Sequence, residues 1–393
     1  MLDVLIIGAG AAGIAAARSL QAAGRSVLLL EARERVGGRA VTTLWQGCAV
    51  DLGAAWLHFA RDNPFTALAR SQGCTVLDEE PGWGSPLLAT YFQAAEAAAA
   101  AGRDVPVADV VPNDVNRPRF EAVMTWAVGM PAAQVSTLDL HRYDESDHNW
   151  MVAEGLGTVV AAAAAGLPVQ CNAAVTHIDW CGPGVRVRTS HGVLQARAAI
   201  VTLPTAVLAS ASAPRFTPAL PSAHQQAVHD LPLGVCNKVF LRLHPADVPA
   251  GGMVHAIGNP TTSRTASWTL KPAGQPVAMA YFGGPLSQDL EARGELEHFA
   301  REQLAQVFGH DLARRCGAAL ASAWGRDPWA QGSYSAARPG AANARALLAT
   351  PIAPQLLLAG EACSTNRYGT LAGAWDSGLA AAGTLLRTLG NTP

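Results

Sequence analysis

The chain contains little lysine. Its 28 lysine and arginine residues include just two lysines, Lys238 and Lys271. Charged residues make up 15% of the sequence and the formal net charge is −2. This balance excludes a general electrostatic attraction to nucleic acid or to an anionic membrane surface. We attribute the excess of arginine to the composition of a GC-rich genome, so each lysine requires its own explanation.

The sequence also lacks paired cysteines and long apolar runs. Its 7 cysteines are scattered without a CxxC pair, which argues for a reducing compartment and against a disulfide framework or a zinc site. The apolar N-terminus resembles a signal peptide, but it has no basic region and contains a functional glycine pattern. No run of about 18 apolar residues suggests a membrane span. We therefore expect a cytoplasmic protein without a metal site.

The glycine pattern lies in a strand–turn–helix unit at the start of the chain. Residues 2–7 predict a buried strand, Gly8-Ala9-Gly10-Ala11-Ala12-Gly13 follow, and a helix to Ala23 precedes a second strand at 27–30. Such glycines let a pyrophosphate rest on a helix N-terminus, and Glu31 can accept hydrogen bonds from ribose hydroxyls. The unit therefore predicts a dinucleotide site.

The whole chain, 393 residues long and 50% hydrophobic, has material for two domains or for one unusually large one. Helices are predicted at 92–101, 156–165, 286–308 and 371–389. Strands are predicted at 169–180, 185–199, 199–203, 235–243, 277–282 and 355–359.

A basic segment, EARERVGGR at 31–39, follows the second strand. Its glycine pair allows close backbone approach, and Arg39 supplies a forked cation for a diphosphate. Arg33, Arg35 and Arg39 could instead form a solvated charge run, and the glycine pair argues against this for Arg39 more than for Arg35. The segment resembles an element of the flavin amine oxidase superfamily, which includes monoamine, polyamine and spermine oxidases and flavin-dependent histone lysine demethylases.

Further segments resemble this family in the family's order: DLGAAWLH with Asn63-Pro64, VTLP at 201–204, DPWAQGSYS at 327–335, and LAGE at 358–361 with YGTLAGA at 368–374. On these grounds the chain is identified as a member of this superfamily, and its arginine-rich composition is typical of a GC-rich bacterial genome. The resemblance implies an α/β fold, with a Rossmann-like (GR2-type) FAD-binding domain and an α+β substrate-binding domain whose mixed sheet is flanked by helices. The FAD domain would comprise 1–55, 150–205 and 327–393, and the substrate domain 56–149 and 206–326.

The resemblance also implies which residues bind FAD. Glu31, Arg39 and Glu361 would hold the ribose, pyrophosphate and ribitol, Val175 would meet the adenine, and 53–57 would line the isoalloxazine. The expected set is Gly8, Gly10, Ala12, Gly13, Glu31, Ala32, Arg33, Gly38, Arg39, Gly53, Ala54, Ala55, Trp56, Val175, Gly360, Glu361, Thr370, Leu371 and Ala374. Ser333 stands where monoamine oxidases carry the flavin-linked cysteine, so the FAD is expected to be non-covalent, and Cys363 is expected to be a packing residue.

Lys238 lies in an apolar strand, where a lysine either solvates a sheet edge or is a buried functional group. The resemblance implies that it contacts the flavin N5 through water and assists reoxidation. Tyr334 matches one wall of an aromatic substrate cage, and Thr370 stands where monoamine oxidases have a second tyrosine, which removes one cation–π face. Lys271 is expected to be a solvated loop lysine.

Other candidates leave alternatives open. His58 matches a histidine near the flavin in spermine-type oxidases, but it could also be a core residue. The acidic cluster Asp144, Glu145 and Asp147 could attract an amine or form a solvated loop. The expected pocket walls include Trp56, Trp329 and Trp375.

The reaction implied by the resemblance is hydride transfer from the carbon next to a neutral amine to flavin N5. The product is an imine, and O2 returns FAD with release of hydrogen peroxide. The expected partners are a small-molecule amine and O2, without nucleic acid or membrane. The first insertion is short for a polyamine oxidase, which predicts a more open pocket. The sequence leaves the oligomeric state open.

Two alternative functions remain at this stage. One is a desaturase or ring oxidase acting on a non-amine, and the other is a non-catalytic FAD-binding protein, against which Lys238 and Tyr334 argue. An L-amino-acid oxidase is less favoured, because no arginine stands out as a carboxylate clamp.

Overall fold

The structure, a computed structural model, describes residues 1–78, 86–144 and 148–390. Its strands are β1 (Leu2–Ile7), β2 (Val27–Leu30), β3 (Thr42–Trp45), β4 (Cys48–Asp51), β5 (Val76–Leu77), β6 (Met151–Val152), β7 (Val169–Gln170), β8 (Val175–Asp179), β9 (Val185–Thr189), β10 (Gly192–Val201), β11 (Arg215–Thr217), β12 (Leu233–Gly234), β13 (Cys236–Arg242), β14 (Val254–Ile257), β15 (Ser267–Leu270), β16 (Val277–Gly283), β17 (Ala319–Ala321), β18 (Tyr334–Ser335) and β19 (Leu356–Leu358).

The α-helices surround two larger sheets. They are α1 (Ala11–Ala22), α2 (Pro64–Ser71), α3 (Pro86–Ala100), α4 (Arg117–Val128), α5 (Thr137–Arg142), α6 (Leu156–Ala162), α7 (Thr205–Ala209), α8 (Ser222–Asp230), α9 (Gly284–Arg293), α10 (Leu296–Phe308), α11 (His310–Arg315), α12 (Ala344–Leu348) and α13 (Leu371–Gly390). None of these described helices has both the length and the apolar character needed to cross a membrane.

The larger sheet has 8 strands in the order β11-β8-β9-β10-β1-β2-β7, and β19 also pairs with β10. Its centre is parallel, because β1 pairs in parallel with β2 and β10, and β19 pairs in parallel with β10. The meander β8-β9-β10 is antiparallel, so the sheet is mixed. Both faces are covered by helices, which makes this an α/β fold with a Rossmann-like core.

The uninterrupted apolar run of β1 has a direct explanation in this packing. Val4 and Ile6 belong to a core cluster with α1 and α13, while Leu5 and Ile7 belong to a cluster on the other face with α8 and α12. Because side chains alternate along a strand, a sheet buried on both faces requires apolar residues at every position.

The smaller sheet has 5 strands in the order β14-β15-β16-β13-β17. Its pairings are antiparallel throughout, so the mixed pairing expected for this sheet is found in the larger sheet instead. Helices α9 and α10 pack on one face. Lys238 lies on β13 between β16 and β17, so it does not solvate a sheet edge.

Several predicted bounds differ from the structure. The helix predicted at 286–308 is two helices, α9 and α10, because Gly294 adopts a left-handed conformation with φ 72°. The strands predicted at 185–199 and 199–203 are instead the hairpin β9–β10, with β10 continuous to Val201. Sequence periodicity missed β14 and β15.

The division into two domains remains a proposal, and two elements pack across its predicted boundaries. Strand β11 extends the larger sheet through β8, although it follows the predicted boundary at 205. Helix α2 packs with Phe65 and Ala69 in the core cluster of α1 and α13.

Candidate active site

A cavity of about 680 Å³ lies at the carboxyl ends of the parallel strands of the larger sheet. Ile7, Leu30 and Thr202 line it at that edge, and Lys238 and Tyr281 line it from the smaller sheet. Its volume falls within the range of about 300–1,000 Å³ that is typical of ligand pockets. The carboxyl edge of an open α/β sheet is also where such folds bind ligands.

One end of the cavity is built around the N-terminus of α1. Gly10 is the N-cap residue, and no side chain among the described residues caps this terminus. Gly10, Ala11 and Ala12 line the cavity, so the backbone donors of the first turn are available to a ligand. A Cβ on Gly38 would stand 3.3 Å from the Cα of Gly10, so the two glycines leave space at this helix N-terminus. We call this space, between Gly10 and Gly38, the cradle.

Glu31 is buried beside the cradle. Its Oε2 accepts a hydrogen bond from the backbone N–H of Ala9 at 2.9 Å, and its Oε1 accepts one from that of Arg33 at 2.9 Å. Each carboxylate oxygen has a second acceptor position. Glu31 is therefore oriented by the protein and retains acceptor capacity for a hydroxyl group.

Gly13, also predicted as a cofactor-binding residue, does not line the cavity. A Cβ at this position would come within 2.0 Å of the carbonyl oxygen of Gly8. The close packing of α1 on β1 explains this glycine, and its predicted contact with the cofactor is not seen in the cavity wall.

The Glu361 carboxylate connects the two predicted nucleotide segments. Its Oε1 accepts from Arg39 Nη1 at 3.1 Å and from the Ser335 N–H at 3.2 Å. Its Oε2 accepts from Ser335 Oγ at 2.6 Å and from the Gly369 N–H at 2.9 Å. Burial alone would raise the pKa of Glu361, but Arg39, Arg345 and these hydrogen bonds lower it. Its four acceptor positions are occupied by protein donors, so a cofactor hydroxyl would have to share one.

Lys238 is buried, with 7% of its surface exposed, and its ammonium group faces the turn after β4. Its Nζ donates to the carbonyl oxygens of Gly53 at 2.6 Å and Asp51 at 3.0 Å. Burial lowers the pKa of Lys238 to about 8. An ammonium has three donors, so one remains for a group in the cavity.

Asp51 is fixed from the other side by α6. Its carboxylate accepts from the N–H groups of Leu156 at 2.8 Å and Gly157 at 3.0 Å, at the start of that helix. The Asp51 side chain therefore anchors the turn whose carbonyl groups hold Lys238, and this anchor is far from Lys238 in the sequence.

Tyr334 lies in a cluster of hydroxyl and thiol groups at the other side of the cavity. Its hydroxyl donates to the carbonyl oxygen of Trp126 at 2.5 Å and lies 2.6 Å from the Tyr281 hydroxyl. The Cys236 Sγ lies 2.8 Å from the same Tyr334 hydroxyl. Burial raises the pKa of both tyrosines well above the usual 10.0. Both rings are therefore held as neutral walls.

Thr370 and His58 also line the cavity. The Thr370 hydroxyl donates to the Arg367 carbonyl at 2.7 Å and accepts from the Gly373 N–H at 3.0 Å, so it caps the start of α13. The Nδ1 of His58 lies 2.6 Å from the Asn149 amide oxygen. Burial lowers the pKa of His58 below its usual 6.5, which favours the neutral imidazole.

The structure brings most of the predicted residues together. Apart from Gly13, every residue of the predicted cofactor and catalytic sets lines the same cavity, and so do the expected walls Trp56 and Trp329. Trp375 was expected to be a wall, but it packs edge-on against Phe65 at 5.1 Å in the core. This expectation is wrong. The binding roles of the other residues remain predictions.

The acidic cluster is described in part. Asp144 is exposed and accepts a hydrogen bond from the Asn366 amide at 2.6 Å. It does not line the cavity. Glu145 and Asp147 lie outside the described residues. Lys271, expected to be solvated, is half-buried and donates to the carbonyl oxygens of Pro249 and Gly251.

Sequence reasoning missed several cavity residues. Tyr281 is the cross-strand partner of Lys238. Tyr368 is the first residue of the predicted YGTLAGA segment, but it was not predicted to line the cavity. Both line the cavity, together with Phe92, Trp126, Tyr143 and Trp324. The signal for Tyr281 was the strand pairing, because residues directly opposite each other in a sheet share a face.

The residues of this cavity fit FAD. An uncapped helix N-terminus and Arg39 suit a diphosphate, Glu31 suits a ribose, and a long aromatic-lined cavity continues from them. Comparison with known proteins gives the decisive observation: residues 11–81 and 130–386 match the model of the flavin containing amine oxidoreductase family. The chain belongs to this family. It is therefore an FAD-dependent oxidoreductase.

Relatives within the flavin containing amine oxidoreductases match nearly the whole chain. Polyamine oxidase 4 of Oryza sativa subsp. japonica is 30% identical, with 97% of this chain and 88% of the relative covered. Polyamine oxidase 2 of Arabidopsis thaliana is 30% identical, with 97% of this chain and 87% of the relative covered. Lysine-specific histone demethylase 1 homolog 2 of Arabidopsis thaliana is 28% identical, and 58% of it is covered.

Proposed function

We propose that this flavoprotein oxidises a small-molecule amine with O2 as acceptor. Non-covalently bound FAD would supply the chemistry by accepting a hydride from the carbon next to a neutral amine nitrogen, giving an imine, and by returning the electrons to O2 with release of hydrogen peroxide. The protein residues bind the amine, orient it and exclude water. The names of the polyamine oxidase relatives support an amine substrate.

The observation that carries this proposal is the position of Lys238. It lies in the same cavity as the uncapped N-terminus of α1, and a site that only stored FAD would not need a buried ammonium there. Its two carbonyl acceptors fix Nζ, and the remaining donor can hold a water molecule in the cavity. The cation is then placed to assist the transfer of electrons to O2.

The aromatic walls would orient the amine. The hydroxyl groups of Tyr281 and Tyr334 are held at the C-terminal end of α4 by the Trp126 carbonyl. These rings therefore cannot rotate freely, and together with Tyr368 they give the cavity rigid apolar surfaces. Such surfaces suit the carbon skeleton of an amine and attract its cationic form on arrival.

The thiol chemistry favours non-covalent FAD. Ser333 donates its hydroxyl to the Cys236 carbonyl at 2.9 Å. Cys236 lies on the cavity wall, but burial raises its pKa to about 11. Cys363 is packed in the core of the larger sheet, and burial raises its pKa to about 12. Neither thiol forms the reactive thiolate readily near neutral pH.

An amine panel tests the proposal. The purified holoprotein is mixed in air with a primary monoamine, a secondary amine, a diamine and a polyamine, and O2 consumption is measured beside hydrogen peroxide. We expect at least one amine to give equal amounts of both. If O2 is consumed with a non-amine compound but with no amine, the protein is a different flavin oxidase. If O2 is consumed with none of the compounds, the catalytic proposal fails.

A further inference from the structure

Arg345 is a buried cation that does not reach the cavity. It lies on the short helix α12, none of its surface is exposed, and it is absent from the cavity wall. Its Nε donates to Asp139 Oδ1 at 2.6 Å and its Nη2 to Oδ2 at 2.9 Å, a two-pronged ion pair with α5. Burial of such a pair is costly unless every remaining donor is satisfied.

The remaining donors of Arg345 are indeed satisfied, and their acceptors lie beside the site. Nη1 donates to Ser335 Oγ at 2.8 Å and to the Ala362 carbonyl at 3.4 Å. Nη2 also donates to the Ser335 carbonyl at 3.1 Å. A guanidinium has five N–H groups, and all five are used here.

One arm of this network leads to the nucleotide end of the cavity. The Ser335 hydroxyl, held by Arg345, donates to Glu361 Oε2 at 2.6 Å. Glu361 in turn holds Arg39, whose guanidinium lines the cavity beside the cradle of α1. Arg345 therefore fixes the carboxylate that fixes Arg39.

A second arm leads to the aromatic wall. The Cζ of Arg345 lies 3.6 Å from the centre of the Tyr368 ring, so the guanidinium stacks on that ring. The Tyr368 hydroxyl donates to the Asp139 carbonyl at 2.8 Å, which ties the far end of the ring to the partner of Arg345. The ion pair of Arg345 and Asp139 therefore fixes the orientation of the Tyr368 ring. The same ring lines the cavity.

We propose that Arg345 is a positioning residue that aligns Glu361 at the cofactor end of the cavity with the Tyr368 ring at the substrate end. This rests on the proposed function, because it assigns FAD to one arm and the amine to the other. A lysine would keep the charge, but it has neither the planar face that stacks on Tyr368 nor the fork that binds Asp139 and Ser335 together.

The test measures both arms in Arg345→Lys. FAD affinity is obtained by titrating the apoprotein. Amine affinity and the limiting rate of flavin reduction are obtained by anaerobic single-turnover mixing, per bound flavin. We expect the dissociation constants for FAD and for the amine each to rise by about tenfold. The limiting rate of flavin reduction should change by less than about threefold, because Arg345 itself does not reach the cavity where the amine would react. Arg293→Lys, in an exposed pair with Asp289, is the matched control and should change none of these.

Two further variants separate the arms. Ser335→Ala should raise the dissociation constant for FAD and leave that for the amine at the control value. Tyr368→Leu should raise the dissociation constant for the amine and leave that for FAD at the control value. In the double variant Arg345→Lys with Ser335→Ala, the FAD dissociation constant should be no higher than in the more affected of the two single variants. In Arg345→Lys with Tyr368→Leu, the same should hold for the amine dissociation constant. If Arg345→Lys does not fold, Asp139→Asn serves in its place with the same expectations.

The proposal is overturned if Arg345→Lys, or Asp139→Asn in its place, lowers the thermal midpoint but keeps both dissociation constants at the control values. Additive double variants would overturn it as well. If no amine reduces the wild-type flavin, the proposed function fails. An unchanged FAD dissociation constant in Arg345→Lys would separately overturn the positioning role.

Discussion

The ammonium nitrogen of Lys238 lies 2.6 Å from the carbonyl oxygen of Gly53. A Cβ on Gly53 would come within 1.8 Å of the Arg39 carbonyl, so the turn that holds Lys238 is packed directly on the basic segment of the nucleotide site. The buried lysine and the predicted pyrophosphate contact are thus parts of one assembly. A test of Lys238 must therefore measure FAD binding beside the reaction with O2.

Replacing Lys238 by methionine should slow the reaction of the reduced flavin with O2 by at least about tenfold, which corresponds to about 1.4 kcal/mol of activation free energy. The reason is the loss of the ammonium group that the carbonyl oxygens of Asp51 and Gly53 hold at the predicted flavin end of the cavity. Rapid mixing of reduced protein with O2 measures the rate. Lys271→Met is the control and should leave the rate unchanged, while an unchanged rate in Lys238→Met would remove the assigned role.

The same rate should depend on pH. Because burial lowers the pKa of Lys238 to about 8, the ammonium form predominates at pH 7 and is lost as the pH rises through that value. The wild-type oxygen rate should therefore fall above about pH 8. In Lys238→Met this fall should be absent; a fall of the same size in the variant would assign the titration to another group.

Gly38→Ala should weaken FAD binding. Gly38 has φ 59°, and an added Cβ would stand 3.3 Å from the Cα of Gly10, inside the cradle. We expect the FAD dissociation constant to rise by about tenfold, or about 1.4 kcal/mol. Gly24→Ala is the matched control, because Gly24 also has positive φ, at 75°, but an added Cβ meets nothing within 4 Å. Equal FAD affinities in both variants would contradict the cradle.

His58 should make folding stability depend on pH. Burial lowers its pKa in the folded protein below 6.5, so below pH 6.5 the unfolded chain binds a proton that the folded protein does not. The stability of the wild type should therefore fall as the pH drops below 6.5, by at most about 1.4 kcal/mol per pH unit from this group.

Denaturant unfolding of wild type and His58→Gln between pH 7.5 and 5.5 measures this effect. The difference in the free energy of unfolding between the two should shift in favour of the variant as the pH falls. A difference that stays constant over this range would contradict the lowered pKa of His58 in the folded protein.

Acid precipitation tests the form of the cofactor. Because Ser333 stands at the predicted attachment position and the Cys236 thiol is held protonated by burial, FAD should be released into the supernatant. The visible absorption of supernatant and pellet measures this directly. Flavin that stays with the pellet would contradict non-covalent binding.

Local patterns predicted the nucleotide half well. The strand β1, the glycine turn and α1 are adjacent in sequence, so the periodicity of the chain determines them. The position of Trp375 was not predicted correctly, because a helix turns by about 100° per residue. Ala374 lines the cavity, and one step further the Trp375 ring faces Phe65 in the core.

The substrate half depends on contacts between distant segments. Tyr281 faces the cavity because it pairs with Lys238 across β13 and β16, and no local pattern specifies that register. The ion pair of Arg345 with Asp139 joins two short helices that are far apart in the chain. Sequence periodicity can place each residue on its own helix, but it cannot show that the two side chains meet.

The central claim is that this protein oxidises an amine in this cavity. Anaerobic mixing of the yellow holoprotein with amines tests the claim most directly. We expect at least one amine to bleach the visible flavin absorption without O2, and admission of O2 to restore the absorption with one equivalent of hydrogen peroxide per flavin. A flavin absorption that no amine bleaches, in protein that a chemical reductant bleaches fully, would contradict the claim.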